Sequence, residues 1–463
     1  MSGVGGSINT GLRVSLFHSS QKLAGKQLHR NNSLAVIYRT PGATDKMSRN
    51  LRCMIVVLLS LASVTSAQNR VSRVAQKGTS FGLRLFQEVL ADQWGKNLGF
   101  SPYGVTSALS VLQSGAAGTT LDQIRKALNY GHKEWAVALA LNKLREQISG
   151  QQKSAEDPKP VHIADGLFVQ RDLSLTPGFL QRFQATFHRH LSQVNFTDVA
   201  QAKDIINQWV ENKTDGMIKD LVGSNNIPPL TRLVLLSAVH FSGKWTVPFL
   251  EKATHQRPFY RSDGSHVQVQ MMANTGKYNC SEFTTPDGDF YDVIELPYEG
   301  EELSMLIAAP YEKNVPLSAI TNILTPELIA QWKAQMKKVT RLLVLPKFSL
   351  LSEVDLKKPL ERLGITDMFT QETADFSRLS SEKPLYVSEA FQKIKVEVTE
   401  KGTRASAATA AILLARMAPL EVIMDHPFLF MVRHNPTGEI YTTLYQTVPP
   451  DCEYNSIYIY IWQ

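Results

Sequence analysis

The chain has 463 residues, a formal net charge of +7, and a composition that is 43% hydrophobic and 20% charged. These values exclude a disordered polyelectrolyte and a multispanning membrane protein. Lys and Arg are scattered and do not gather into the stripe that nucleic-acid binders show, and no G-x-S-x-G, H-E-x-x-H or P-loop signature occurs, so no catalysis, metal or cofactor is expected.

Residues 1–46 are polar and unpatterned and read as an alternative or non-native leader. From Met47 a short basic start with Arg49 and Arg52 precedes an apolar stretch, Cys53 to Val64, and the small residues Thr65-Ser66-Ala67. That is the layout of a secretory signal peptide over 47–67; the apolar stretch is too short to span a bilayer. The expectation is cleavage after Ala67 and release to the extracellular space. Only Cys280 and Cys452 then remain, too few for a disulfide framework, so packing must supply stability. Three triplets, beginning at Asn195, Asn212 and Asn279, are glycosylation candidates on that route.

Further along, Phe81, Leu85, Phe86, Val89 and Leu90 recur at helical spacing, and Ser101-Pro102 opens a second helix with a cap and a first-turn proline. Residues 205–221 carry a helical pattern that ends near Gly216. From Leu233 strand signals take over. Asp263-Gly264 and Asp287-Gly288 predict hairpin turns, and Leu342 to Leu345 predicts a buried strand. Near the C-terminus, Lys393 to Glu400 alternates charge with Ile394, Val396 and Val398, and Phe428 to Val432 forms a second strand-like run. Helices ahead of strands predict an α+β fold. Between the last two strands lie about twenty small residues, which composition alone admits either as an Ala-rich helix or as a functional loop.

The order of Phe100-Ser101-Pro102, Asn207-Gln-Trp-Val, Phe241-Ser-Gly-Lys-Trp245, Leu345-Pro-Lys-Phe, Ala374-Asp-Phe-Ser, Glu400-Lys-Gly-Thr and Pro427-Phe-Leu-Phe resembles the serpin family from about Phe81 to Ile440. Within it, Thr284-Thr-Pro-Asp-Gly, Ala415-Arg-Met-Ala-Pro and Val432-Arg-His-Asn-Pro-Thr-Gly are closest to the branch that inhibits tissue and urokinase plasminogen activators.

The resemblance implies a serpin domain over 68–440 with three β-sheets, about nine helices and an exposed reactive-centre loop at about 400–420. It implies a secreted, monomeric suicide inhibitor of trypsin-like serine proteases, a regulator of fibrinolysis and pericellular proteolysis, cleaved at Arg416-Met417. The loop hinge would be Glu400, Gly402, Thr403 and Ala405, and the sheet-opening region Ser101, Ser237 and Trp245. In an inserting strand Thr403, Ala405, Ala407, Thr409 and Ala411 would share the inward face, and all are small. The resemblance also implies a vitronectin site at Arg171, Phe179 and Gln193, altered at Leu180, Ala185 and His188; Lys143, Arg145, Lys153 and Lys159 read either as a heparin surface or as a solvated face. Four features depart from the family pattern: Ser237 in place of an Asn, Arg404 in the hinge, Leu420-Glu421 in place of paired acidic residues, and an atypical tail over 441–463. Tyr441 to Tyr445 can still pair as a strand. The alternative is a non-inhibitory or substrate-like serpin, or a non-functional splice product of the altered terminus.

Overall fold

A computed structural model describes residues 45–93, 95–131, 133–149, 160–186, 190–223, 227–382, 384–401 and 419–447, with side chains from Ala67 onward. The chain divides into two units, Met1–Ala62 and Ser63–Gln463. In the first unit the described residues are all helical. No helix among the described residues is long and apolar enough to cross a membrane.

The helical segment α1 (Asp45–Asp92) is followed by β1 (Leu98–Phe100), α2 (Pro102–Gly115), α3 (Gly118–Leu128), α4 (Glu134–Ile148), β2 (Val161–Gln170), α5 (Pro177–Thr186), β3 (His190–Val194), α6 (Val199–Lys213) and β4 (Leu233–Phe241). Next come β5 (His255–Tyr260), β6 (His266–Thr284), β7 (Phe290–Pro297), β8 (Leu303–Pro310), α7 (Ser318–Thr321), α8 (Pro326–Gln335), β9 (Lys337–Pro346), β10 (Phe348–Asp355) and α9 (Lys357–Arg362). The last strands are β11 (Glu389–Val398), β12 (Glu421–Ile423), β13 (Phe428–His434) and β14 (Ile440–Gln446). Strands β1 to β3 interleave with the early helices, so the segregation expected from the sequence is only approximate. The helix placed at 205–221 starts earlier, where Asp198 caps it by accepting from Gln201 N, and ends at Lys213. Both expected hairpins form, each with its glycine at positive φ, Gly264 at 81° and Gly288 at 95°.

Two hydrogen-bonded sheets result. The five-stranded sheet has the order β10-β11-β4-β2-β3. The nine-stranded one runs β1-β14-β13-β8-β7-β6-β9-β12, with β5 on β6. The expected second and third sheets are continuous because β6, 19 residues long, pairs in turn with β5 at 266–271, with β9 at 271–280 and with β7 at 279–284. Most of the apolar core is one cluster shared by α1, α2 and both sheets.

Strand β14 lies between β1 and β13 and is buried at every position. It starts one residue before the point where the sequence turns atypical, so the first residues of that tail, Tyr441 to Gln446, are part of the core. Residues 448–463 lie outside the described residues.

Candidate functional site

In the five-stranded sheet β11 and β4 are parallel neighbours, registered from Glu389 opposite Val234 to Val396 opposite Phe241. Parallel pairs are slightly weaker per residue than antiparallel ones. Strand β11 leads directly into the small-residue segment. A chain that turned back after β11 would run antiparallel to β11 and, because β4 is parallel to β11, antiparallel to β4 as well. One strand entering this seam therefore replaces a parallel ladder with two antiparallel ones.

Polar side chains fasten the middle of the seam from the core side. Gln392 on β11 stands opposite Ser237 on β4, and its Nε2 donates to Ser237 Oγ at 3.4 Å and to Ser101 O at 3.1 Å. Its Oε1 accepts from Ser101 N at 2.6 Å. Ser101 caps α2, accepting from Gly104 N at 3.1 Å, and its hydroxyl donates to Tyr441 O at 2.5 Å. Helix α2 must approach closely here: a Cβ on Gly104 would sit 2.4 Å from Ser237 Oγ. Ser237 in turn donates to Asp165 Oδ1 at 3.1 Å, and Asp165 Oδ2 accepts from Arg145 at 3.2 Å. Ser101, Ser237, Gln392 and Asp165 are all buried.

The end of the seam next to the loop is fastened separately. Trp245 stacks on Tyr298 with centroids 4.4 Å apart and donates its indole N–H to Thr399 O at 2.8 Å. Glu400 accepts from Thr254 Oγ1 at 2.9 Å and pairs with Lys347 Nζ at 2.8 Å. Burial works against ionisation of Glu400, but the hydrogen bonds from Lys347, the backbone and Thr254 outweigh it and hold the carboxyl below its ordinary range.

The structure thus joins Ser101 to Ser237 through Gln392, which the sequence did not single out, and places Trp245 apart from them beside Glu400. Asp165, Gln392 and Ser237 share a signal that could have found them: each is a polar residue inside a strand buried along most of its length. The hinge residues Gly402, Thr403 and Ala405, the bond Arg416-Met417, and Lys153 and Lys159 lie outside the described residues.

Two partner surfaces change. Phe179 is completely buried against Phe183 and Gly115, so it has no side chain to offer vitronectin. Arg171 and Gln193 are exposed neighbours, Gln193 Nε2 donating to Arg171 O at 3.2 Å. Arg145, from the expected heparin surface, is partly buried and donates to Asp165 and to Ile163 O. Among the sequons, Asn195 follows β3 and accepts from Thr197 Oγ1 at 2.6 Å, Asn212 is exposed on α6, and Asn279 donates to Glu295 at 2.8 Å within the sheet.

A closed seam that feeds directly into a long small-residue segment is the architecture of a strand-inserting inhibitor. The family model described as serpin (serine protease inhibitor) matches residues 76–443. The chain belongs to the serpin family and is a serine protease inhibitor, not an enzyme. It is 51% identical over 396 residues to plasminogen activator inhibitor 1 of Sus scrofa, covering 85% of this chain and 98% of that one. It is 40% identical over 387 residues to glia-derived nexin of Mus musculus, covering 83% and 96%. Among solved structures, native protease nexin-1 with heparin superposes with a TM-score of 0.76 at 37% identity, covering 82% of this chain and all of that one.

Proposed function

We propose that this chain is a secreted suicide inhibitor of plasminogen activators that presents Arg416-Met417 as its reactive bond. The protease serine attacks the Arg416 carbonyl, the Arg416-Met417 bond breaks, Met417 leaves as a free amine, and an ester joins Arg416 to the enzyme. The freed loop then enters the β11/β4 seam and carries the enzyme with it. Displacement distorts the oxyanion hole, so water does not complete hydrolysis. Arg416 suits the acidic specificity pocket of trypsin-like enzymes.

The observation that carries this reading is the closed, parallel β11/β4 seam, fastened at Gln392 and Ser237 and again at Trp245 and Glu400. The eight registered pairs of the seam span about 26 Å at strand rise, and the loop from Gly402 to Arg416 is long enough to fill it. Half an identity with plasminogen activator inhibitor 1 supports the choice of target. Under this reading residues 47–67 are a cleaved signal peptide, 68–440 form the monomeric inhibitor domain, which β14 extends to Gln446, and the three sequons are glycosylated during export. Regulation of fibrinolysis follows from the target. Arg171 and Gln193 remain as a vitronectin contact, and Lys143 as part of a heparin surface; the heparin named with the nexin-1 structure supports the latter.

The test is incubation with urokinase followed by denaturing electrophoresis. A complex that survives denaturant supports the reading, and a loop-cleaved chain with no complex overturns it.

A further inference from the structure

Arg145 lies on α4, outside the strands that form the seam. Its side chain is 24% exposed, whereas that of its partner Asp165 is 1% exposed. The guanidinium donates to Asp165 Oδ2 and to Ile163 O, gripping the β2 backbone two residues from Asp165. The other carboxylate oxygen of Asp165 receives the hydroxyl of Ser237 at 3.1 Å. A serine has one proton to donate. Once that proton points at Asp165, the lone pairs of Ser237 Oγ are left for the Nε2 of Gln392 across the seam, at 3.4 Å.

An asparagine at 237 would bring two N–H donors and a carbonyl, enough to reach Asp165 and Gln392 with separate groups. The single hydroxyl of Ser237 makes both contacts only while Asp165 stays in place. Asp165 is buried, and the guanidinium beside it holds the carboxylate in position.

We infer that Arg145 is a positioning residue for loop insertion. Through Asp165 it orients Ser237, and Ser237 then latches β4 to β11 by way of Gln392. An entering strand moves β11 from β4 by a further strand spacing of about 4.8 Å, so the Gln392 to Ser237 contact must break on the way. The strength of that latch helps set how fast the seam opens. The inference rests on the reading of the β11/β4 seam as the insertion site.

Four proteins test it: the unaltered chain, R145Q, S237N and the double variant, each followed for the half-life of inhibitory activity without protease and for thermal unfolding. R145Q should shorten the half-life about threefold to tenfold, the equivalent of one hydrogen bond lost from the closed state. With S237N present, the same substitution should leave the half-life nearly unchanged, while the loss of thermal stability from removing the guanidinium beside Asp165 persists in both backgrounds. A merely structural role would shorten the half-life by the same factor in both. Equal factors, or an unchanged half-life in R145Q, overturn the inference. If R145Q does not fold, R145K keeps the charge without the two-pronged fork and carries the same comparison. An unaltered chain that forms no complex with urokinase overturns the inhibitory reading instead, so the two failures are distinct.

Discussion

Lys347 and Glu400 form an ion pair, Nζ to Oε2 at 2.8 Å, that ties the loop-side end of β11 to the turn between β9 and β10. Glu400 is buried, whereas the lysine side chain is 43% exposed. Under the proposed insertion, the pair acts on the first residues to move.

Replacing Glu400 by Gln removes the charge and leaves Lys347 partly solvated, so the cost to folding stays near about 1–2 kcal/mol. The larger effect falls on the seam. Glu400→Gln should lose inhibitory activity spontaneously faster than the unaltered chain, measured as residual urokinase inhibition against time. An equal or longer active lifetime contradicts the clamp.

Arg416→Ala removes the side chain that a trypsin-like specificity pocket recognises. The variant should form no complex with urokinase in denaturing electrophoresis while unfolding at the same temperature. An undiminished complex would move the reactive bond elsewhere in the loop.

Gly104→Ala should destabilise the fold, because the added methyl meets Ser237 Oγ at 2.4 Å and Gln392 Nε2 at 2.9 Å. Overpacking of this kind costs about 1–3 kcal/mol. Relief by turning Ser237 would break its bond to Asp165. Denaturant unfolding checks this, and an unchanged midpoint would mean that α2 is less closely seated.

His240 on β4 faces His162 across β2, Lys395 and Glu397 on β11, and Asp215 beyond α6. Burial pushes its pKa down to about 4, against the opposing pull of Glu397. The folded chain thus stays neutral there while the unfolded imidazole takes a proton near its ordinary value of about 6.5. Stability supplied by neutral His240 is complete above about 6.5 and is lost as pH falls through about 4. His240→Phe should flatten the fall in melting temperature over that window, and an identical slope would contradict the assignment.

Thr442 and Thr443 on β14 are buried, and neither hydroxyl has a hydrogen-bond partner among the described residues. Thr443→Val should stabilise the fold by about 1 kcal/mol, since it removes a buried unsatisfied hydroxyl. Thermal unfolding reads this directly, and a loss of stability would mean that the hydroxyl is satisfied.

Local chemistry carried much of this fold in the sequence. Ser101-Pro102, the two Asp-Gly turns and the runs at Leu342 and Phe428 each formed the expected element, because each rests on a short-range cap, turn or buried run. Strand β2 escaped notice because it is buried on nearly all of its length and holds Asp165 and Gly166, so neither alternation nor a continuous apolar run marks it. The site was readable only in part for a similar reason. Ser237 stood out as a departure from the family pattern, but its partners Gln392 and Asp165, and Arg145 behind Asp165, come from three other elements and meet only in the folded chain. Phe179 shows the reverse: a position that matched a surface contact lies in the core, since the periodicity of α5 turns it inward.

The central claim is that the loop enters the β11/β4 seam once it is cut. Its most direct test is the unfolding temperature of the chain before and after proteolysis at Arg416-Met417. Insertion exchanges one parallel ladder for two antiparallel ones, and the cleaved chain should unfold at a much higher temperature than the intact one. A cleaved chain that unfolds at the same temperature, or a lower one, would contradict the account.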